Sequence, residues 1–364
     1  MPSAGLFIGS FLLSVVLTAV ARVFAIRIGF VSKPTADRYS QYAIPLGGGI
    51  AIFGTLALSI LAAIISVKFL FPAGWFNWLG SAVVDYTQGF LDRINQLIII
   101  FCASAVLFAL GLWDDKKRLD PYFKLIIQFA AAISVAAFAD VRVEFFIESK
   151  LITTMLSAIW IVFLINAFNF LDNMDGASAG IAAITCSILF VAAALSGQVF
   201  VGGLTLIFIG ALAGFLVFNF PPAKIFMGDA GSLVVGFFAA VLTLKTTYYH
   251  QTQSGRWFSV FFPLICMAVP LYDFISVTIL RISQGKSPMV GDTQHFSHRL
   301  KRRGLNETQA ILTLYLATLC TGLGAIFLYQ VNFLGAILIF IQTFMVLAII
   351  AILEATGRND SAND

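Results

Sequence analysis

Four polar segments interrupt an otherwise apolar sequence, and their side chains are of the types that bind cations and phosphates. The first segment contains the adjacent acids Asp114 and Asp115, followed by Lys124 and Gln128, whose spacing puts them on one helix face. Two neighbouring carboxylates at the end of an apolar run repel each other unless a cation or a proton lies close by. The segment therefore indicates either a charge-dependent site or a helix end marked by positive residues.

The second segment, residues 166–176, follows directly on an apolar run and is rich in amide and carboxyl side chains. These are Asn166, Asn169, Asp172, Asn173 and Asp175. Helical spacing places the three asparagines on one face, and oxygens of Asn and Asp suit Mg²⁺ and the phosphates it carries. A polar turn that ends a helix is the alternative interpretation. So many polar groups directly after a long apolar run favour a functional role.

The third segment opens a later apolar run with Gly228, Asp229, Gly231 and Ser232. Free backbone N–H groups at a helix start can hold phosphate. Asp229 could then ligate a metal ion opposite the phosphate, or it could serve only as the N-cap of the helix. The sequence leaves both roles open.

The fourth segment holds His295 and His298, two of the three histidines in the chain, and the basic run 299–303. A His-x-x-His pair can bind zinc, but no cysteine lies nearby to complete such a site. Contacts of histidine and arginine with a diphosphate fit better. Binding of the basic run to anionic lipid is the alternative. Outside these segments, Asp273 lies deep in an apolar run, where an ionisable group usually has a function.

These segments need a membrane-embedded scaffold. The chain has 364 residues, of which 60% are hydrophobic and 11% charged, and its mean hydropathy is +0.95. Soluble domains have about 25% charged residues, so a water-soluble enzyme is excluded. Disordered and nucleic-acid-binding proteins are excluded as well, because both need charge-rich sequence.

Continuous apolar runs favour transmembrane helices over a β-barrel. Eleven runs are long enough to cross the hydrocarbon layer: residues 5–26, 47–70, 95–112, 122–139, 151–168, 178–195, 199–218, 231–247, 258–281, 309–329 and 333–353. Lys and Arg are concentrated in one set of connections, which orients the chain. The sequence thus predicts an all-α polytopic bundle of about 11 transmembrane helices. It has its N-terminus outside, its C-terminus in the cytoplasm and one membrane-embedded domain over residues 1–364. All four polar segments then lie on the cytoplasmic side.

Taken in order, these segments resemble the polyprenyl-phosphate N-acetylhexosamine-1-phosphate transferases of the glycosyltransferase 4 family. The resemblance rests on Asp114-Asp115 with Lys124 and Gln128, Asn166-x-x-Asn169-x-x-Asp172-x-x-Asp175-Gly176, Phe226-Met227-Gly228-Asp229-x-Gly231-Ser232, His295-x-x-His298-Arg299-Leu300, and Pro45-x-Gly47-Gly48. The stretch from Pro270 to Leu300 looks like the WecA and TagO branch rather than the MraY branch. Ser297 and Gln41 stand where many members have histidine.

The resemblance implies transfer of a sugar 1-phosphate, with N-acetylglucosamine favoured, from a UDP-sugar to undecaprenyl or another polyprenyl phosphate. The products would be a lipid-linked diphosphate sugar and UMP, for synthesis of cell-envelope polysaccharide such as lipopolysaccharide or teichoic acid. It implies Mg²⁺, with Mn²⁺ as a substitute, and a multi-pass protein of the plasma (inner) membrane whose active site faces the cytoplasm. The partners that the resemblance implies are these two substrates and the lipid bilayer. It is compatible with a homodimer, and it implies no binding of nucleic acid.

The same resemblance assigns roles to twelve residues. Asp114, Asp115, Asp172 and Asp175 are the catalytic acids, Asp229 and Asn169 the metal ligands, and Lys124, Asn166, Gly228, His295, His298 and Arg299 the substrate-binding residues.

Two other functions stay open on the sequence alone: a phospho-MurNAc-pentapeptide transferase, and a transporter of lipid or solute. Transporters place polar groups near the membrane midplane, often at broken helices in repeated halves. Only Asp273 approaches that pattern, and the sequence shows no internal repeat. The concentration of polar groups at one membrane face favours an enzyme.

Overall fold

A computed structural model describes residues 2–32, 43–75, 87–143, 147–246, 248, 257–287 and 304–355. Its helices are α1 (Pro2–Arg27), α2 (Gly48–Ile65), α3 (Ile94–Lys116), α4 (Pro121–Phe138), α5 (Lys150–Leu171), α6 (Ala177–Leu195), α7 (Val199–Asn219), α8 (Gly228–Lys245), α9 (Phe262–Cys266), α10 (Ala268–Ser283), α11 (Glu307–Phe327) and α12 (Phe333–Ala355). A π-helical turn, Ser66–Leu70, extends α2, and a 3₁₀ turn, Trp257–Phe261, precedes α9. Two short strands, β1 (Val31–Ser32) and β2 (Ile44–Pro45), pair antiparallel.

The helices confirm the predicted all-α membrane architecture. Among the described residues, ten helices are long and apolar enough to cross a membrane, and an eleventh span results if the bent pair α9–α10 is counted as one. The predicted run 258–281 differs from expectation, because its two halves meet at 62°. Pro270 explains the break, since its ring would clash with the carbonyl group of Cys266 in a continuous helix. The sidedness inferred from Lys and Arg stays a prediction.

Helix α8 lies at the centre of the bundle. In its most apolar stretch 83% of the residues are buried, compared with 22% in α1 and in α12. It packs against α2, α3, α5 and α6. Close approach depends on two glycines, since a Cβ on Gly111 would lie 2.4 Å from the backbone of Ala230 and one on Gly236 would lie 2.6 Å from Ile165. The packing therefore fixes α8 against the two helices, α3 and α5, that end in the first two polar segments.

The segment before α8 is held by the start of α2. The amide of Gly48 donates to the carbonyl oxygen of Phe226 at 2.9 Å, and that of Gly49 donates to Met227 at 2.9 Å. The amide of Phe226 in turn donates to the carbonyl oxygen of Pro45 at 2.9 Å. The Pro45-x-Gly47-Gly48 motif thus anchors the turn from which Asp229 projects.

Candidate active site

Four helix ends from three separate parts of the sequence meet at one end of the bundle. Asp114 lies in the last turn of α3, Lys124 in the first turn of α4, Asn169 in the last turn of α5, and Asp229 is the second residue of α8. The fold thereby assembles three of the four polar segments into one cluster. We call these four residues the Asp-Lys-Asn cluster.

Lys124 is the positive centre of this cluster. Its Nζ lies 2.6 Å from Oδ2 of Asp114 and 3.0 Å from Oδ2 of Asp229. The three side chains are 20%, 11% and 29% exposed, so solvent reaches them only in part. Charges at such a position interact more strongly than they do in water. One ammonium group therefore holds two carboxylates side by side at a partly open surface.

The remaining oxygens of the two acids also have partners. The Asn169 amide nitrogen donates to Oδ1 of Asp229 at 3.2 Å and to Oγ of Ser232 at 2.8 Å. The backbone amide of Leu119 donates to Oδ1 of Asp114 at 2.7 Å. These bonds fix the orientation of both carboxylates before any substrate binds.

Asp115 contacts a different part of the molecule from its neighbour Asp114. Its Oδ1 accepts from the backbone amide of Asp229 at 2.9 Å, and its Oδ2 accepts from that of Ala230 at 3.1 Å. The first N–H groups of a helix have no partner within the helix, and an anion beside them is favourable. Asp115 therefore caps α8 from α3 and orients the helix start that carries Asp229. Its assignment as a catalytic acid stays a prediction.

Gly228 provides a test of this cap. Its φ is +70°, and an added Cβ would lie 2.6 Å from Oδ2 of Asp115. We expect Gly228→Ala to lower the melting temperature of the purified protein and its turnover, because left-handed backbone costs about 1–2 kcal/mol without glycine and the methyl group displaces the carboxylate. Gly29→Ala is the matched control, since Gly29 has the same φ of +70° but open space around it. Equal losses in the two variants would contradict the capping role.

Side chains of the second polar segment form hydrogen bonds with α4 and with the turn before α8. The Asn166 amide nitrogen donates to Oε1 of Gln128 at 2.7 Å and to the carbonyl oxygen of Val162 at 2.8 Å. Oδ2 of Asp175 accepts from the amide of Ala223 at 2.8 Å. Asp172 is the C-cap residue of α5 and is half-buried. The structure shows these positions and partners, and the substrate and catalytic roles of Asn166, Asp172 and Asp175 stay predictions.

Two residues that have no role in the sequence-based prediction, Asn219 and Tyr315, stabilise this region. Asn219, which is 3% exposed, accepts from the amide of Gly176 at 3.0 Å and donates to the carbonyl oxygen of Ile225 at 2.9 Å. Tyr315 of α11 donates to the carbonyl oxygen of Gly176 at 2.6 Å. A polar amide at the end of the apolar helix α7 could have identified Asn219 in the sequence. A single tyrosine within an apolar helix gives no comparable indication for Tyr315.

The second half of the bent span packs beside the end of α5. The guanidinium group of Arg281, which is 1% exposed, lies over the ring of Phe170 at 4.7 Å from its centroid. The ring of Phe274 lies 4.9 Å from the same ring. Because Phe170 directly follows Asn169, α10 supports the helix end that carries this amide. Asp273, singled out from the sequence, is 1% exposed on α10.

Three predicted substrate contacts, His295, His298 and Arg299, lie outside the described residues, as do Gln41 and Ser297. Their roles stay predictions. Within the described residues, no group of three or more His, Cys, Asp or Glu side chains is arranged to hold a metal ion. Mg²⁺ commonly uses only one or two protein carboxylates together with waters and substrate phosphates. The Asp229 carboxylate, with the Asn169 amide beside it, fits that smaller set of ligands.

The Asp-Lys-Asn cluster lies within the part of the chain that matches a known protein family. Residues 97–247 match the family model described as Glycosyl transferase family 4. The chain is 31% identical, over 96% of its length and 91% of the relative, to a probable undecaprenyl-phosphate N-acetylglucosaminyl 1-phosphate transferase of Bacillus subtilis (strain 168).

Two further relatives cover most of the chain. A decaprenyl-phosphate N-acetylglucosaminephosphotransferase of Mycolicibacterium smegmatis is 29% identical over 82% of the chain and 75% of the relative. An undecaprenyl-phosphate alpha-N-acetylglucosaminyl 1-phosphate transferase of Yersinia pestis is 26% identical over 93% of the chain and 86% of the relative.

Proposed function

The chain belongs to glycosyl transferase family 4, and we propose that it transfers N-acetylglucosamine 1-phosphate from a UDP-sugar to undecaprenyl or another polyprenyl phosphate. The names of the three relatives combine undecaprenyl or decaprenyl phosphate with N-acetylglucosamine. The observation that carries the proposal is the Asp-Lys-Asn cluster, which is partly open to solvent at the ends of membrane-spanning helices. Such a position suits a reaction between a membrane-confined lipid phosphate and a water-soluble donor.

The proposed reaction joins two anionic substrates. An oxygen of the lipid phosphate attacks the phosphorus bonded to the sugar, the bond from this phosphorus to the oxygen of the nucleoside phosphate breaks, and UMP leaves with that electron pair. Phosphoryl transfer of this kind depends mainly on positioning and charge neutralisation. Lys124 is the cation for the acceptor phosphate, and Asp114 orients Lys124. A phosphate monoester is largely ionised near neutral pH, so proton removal by Asp114 contributes little.

Asp229 is the proposed ligand for Mg²⁺ or Mn²⁺, with Asn169 as a second ligand. The amide nitrogen of Asn169 faces Asp229, and a half-turn of the amide would present its oxygen instead. The bound cation would neutralise charge that develops on the diphosphate oxygens. Both residues already lie on packed helix ends, which limits the reorganisation that binding requires.

The proposed site lies on the cytoplasmic face of the plasma membrane. Basic residues concentrate at the helix ends beside the cluster, among them Arg27, Lys116, Lys117 and Arg118. Connections rich in Lys and Arg are retained on the cytoplasmic side. The orientation is tested with an Arg118→Cys variant in which the four native cysteines are replaced. A membrane-impermeant thiol reagent should label this variant in inverted membrane vesicles and not in intact cells.

The activity is tested with purified protein in detergent, supplied with UDP-N-acetylglucosamine, undecaprenyl phosphate and Mg²⁺. We expect release of UMP together with a lipid-linked sugar, loss of both after chelation of divalent cations, and recovery with Mn²⁺. Omission of the lipid phosphate is the control. Turnover with UDP-MurNAc-pentapeptide alone would establish the alternative transferase activity. Movement of labelled lipid or solute across proteoliposomes, with no turnover of any common UDP-sugar, would contradict the proposal.

A further inference from the structure

The turn between α5 and α6, residues 172–176, borders the Asp-Lys-Asn cluster on the side of Asn169. Lys124 contacts Oδ2 of Asp229, whereas Asn169 contacts Oδ1. Since Lys124 is the proposed cation for the acceptor phosphate, the UDP-sugar donor has to approach Asp229 from the Asn169 side. Helix α5 ends at Leu171, two residues after Asn169, and the turn follows directly. The position of this turn therefore bears on binding of the UDP-sugar.

The backbone of Gly176, at the end of this turn, is held by two other helices. Its amide donates to Oδ1 of Asn219, the last residue of α7, at 3.0 Å. Its carbonyl oxygen accepts from the hydroxyl group of Tyr315 in α11 at 2.6 Å. The same oxygen accepts from the amide of Gly180 at 2.9 Å, which closes the first turn of α6. We call Tyr315, Gly176 and Asn219 the Tyr315 clasp.

The turn and the clasp are also bonded to the segment that leads into α8. Asn219 donates to the carbonyl oxygen of Ile225 at 2.9 Å. Oδ2 of Asp175 accepts from the amide of Ala223 at 2.8 Å. Asp229 follows Ile225 by four residues, so a shift of this segment also shifts the proposed metal ligand. The clasp therefore connects α11 with the part of the site that carries Asp229.

The ring of Tyr315 packs closely against α6, and this packing fixes the position of its hydroxyl group. A Cβ on Gly180 would overlap the hydroxyl oxygen and the adjacent ring atoms of Tyr315. A Cβ on Gly176 would lie 3.2 Å from the same oxygen. Burial of a hydroxyl group without a hydrogen bond is unfavourable. The close fit therefore keeps the Tyr315 hydroxyl group on the Gly176 carbonyl oxygen.

We propose that Tyr315 is a positioning residue for the donor side of the reaction, acting through the turn that its hydroxyl group fixes. This role rests on the proposed transferase function. The acceptor side is held by other contacts, since Lys124 pairs with Asp114 and Asp114 accepts from the amide of Leu119. Loss of the clasp should therefore weaken binding of the UDP-sugar and leave binding of the lipid phosphate unchanged.

The test compares Tyr315→Phe with the wild type, both as purified full chains in detergent at saturating Mg²⁺. Phenylalanine keeps the ring and removes only the hydroxyl group. We expect the KM for UDP-N-acetylglucosamine to rise about fivefold, as for one lost hydrogen bond, while the KM for undecaprenyl phosphate stays at the wild-type value. Absence of turnover in the wild type would overturn the proposed function and this role with it. An active wild type with an unchanged KM for the UDP-sugar in Tyr315→Phe would overturn the role of Tyr315 alone.

Tyr248→Phe is the matched control for lost stability. The hydroxyl group of Tyr248 donates to the carbonyl oxygen of Thr243 at 2.7 Å, near the end of α8 that is remote from Asp229. Because this bond is of the same kind, its loss should lower the melting temperature by a similar amount and leave both KM values unchanged. An equal rise in the KM for the UDP-sugar in Tyr248→Phe and Tyr315→Phe would show that lost stability alone explains the effect, and it would overturn the positioning role.

Gly180→Ala tests the clasp without removing the hydroxyl group. The added methyl group displaces the Tyr315 ring, so we expect a higher KM for the UDP-sugar and an unchanged KM for the lipid phosphate. Gly202→Ala is its control, because a Cβ there meets only the ring of Phe190, at the ordinary contact distance of 3.6 Å. This pair carries the test if Tyr315→Phe does not fold. Equal KM values for the UDP-sugar in the two alanine variants would contradict the proposal.

Discussion

Replacing Asp229 with asparagine is expected to lower the turnover number at least ~100-fold, the size of effect seen when one strong electrostatic contact to a developing charge is lost. Asp229 contacts Lys124 through one oxygen and Asn169 through the other, so its charge is central to the cluster. Asparagine keeps the size of the side chain and leaves the backbone amide free to donate to Asp115. The fold should therefore persist while the proposed metal ligand and one negative charge are lost.

Asp120→Asn is the matched control for this experiment. Asp120 lies on the same side of the bundle and caps α4 by accepting from the amides of Tyr122 and Phe123. Asparagine caps a helix about as well as aspartate, so activity should stay near that of the wild type. Rates are measured as the Mg²⁺ concentration is increased to saturation. Near-normal turnover of the Asp229→Asn variant at saturating Mg²⁺ would remove Asp229 from the metal site.

The helical architecture could be predicted because each membrane span must satisfy its own backbone hydrogen bonds and be long enough to cross the hydrocarbon layer. The predicted runs 122–139 and 199–218 agree with Pro121–Phe138 and Val199–Asn219 to within a residue. The bend between α9 and α10 was not predicted, although Pro270 was visible. Apolar composition continues through the break, so hydropathy gives no sign of it.

The composition of the site could be predicted from the sequence, as could the gathering of its polar segments at one end of the bundle, and the contacts within it could not. Lys124 and Asp229 are 105 residues apart in the sequence, and only the packing of α4 and α8 brings them together. Asp114 and Asp115 look equivalent in the sequence, but one residue turns a helix by about 100°. Because of that rotation Asp114 pairs with Lys124, whereas Asp115 contacts the start of α8. The role of Tyr315 likewise depends on a partner 139 residues away.

Asp115→Ala is expected to lower both stability and turnover, in contrast to changes at Asp114. The Asp115 carboxylate accepts from two backbone amides at the start of α8. Leaving a buried donor without a partner costs about 1–3 kcal/mol, so loss of both bonds should destabilise the protein by about 2–6 kcal/mol. Asp229 and the turn before it would lose their fixed orientation, which lowers turnover without direct loss of a substrate contact.

Asp114→Ala separates the loss of helix orientation from the loss of the ion pair with Lys124. Asp114 accepts from one backbone amide, that of Leu119, and its ion pair with Lys124 is partly exposed. The Asp114 variant should therefore lose turnover with a smaller drop in melting temperature than the Asp115 variant. Melting temperature, kcat and KM are measured for both under identical conditions. A wild-type melting temperature for Asp115→Ala, combined with a large fall in kcat, would show that Asp115 acts on the substrate itself. A parallel loss of stability and turnover means that Asp115 acts through the orientation of α8.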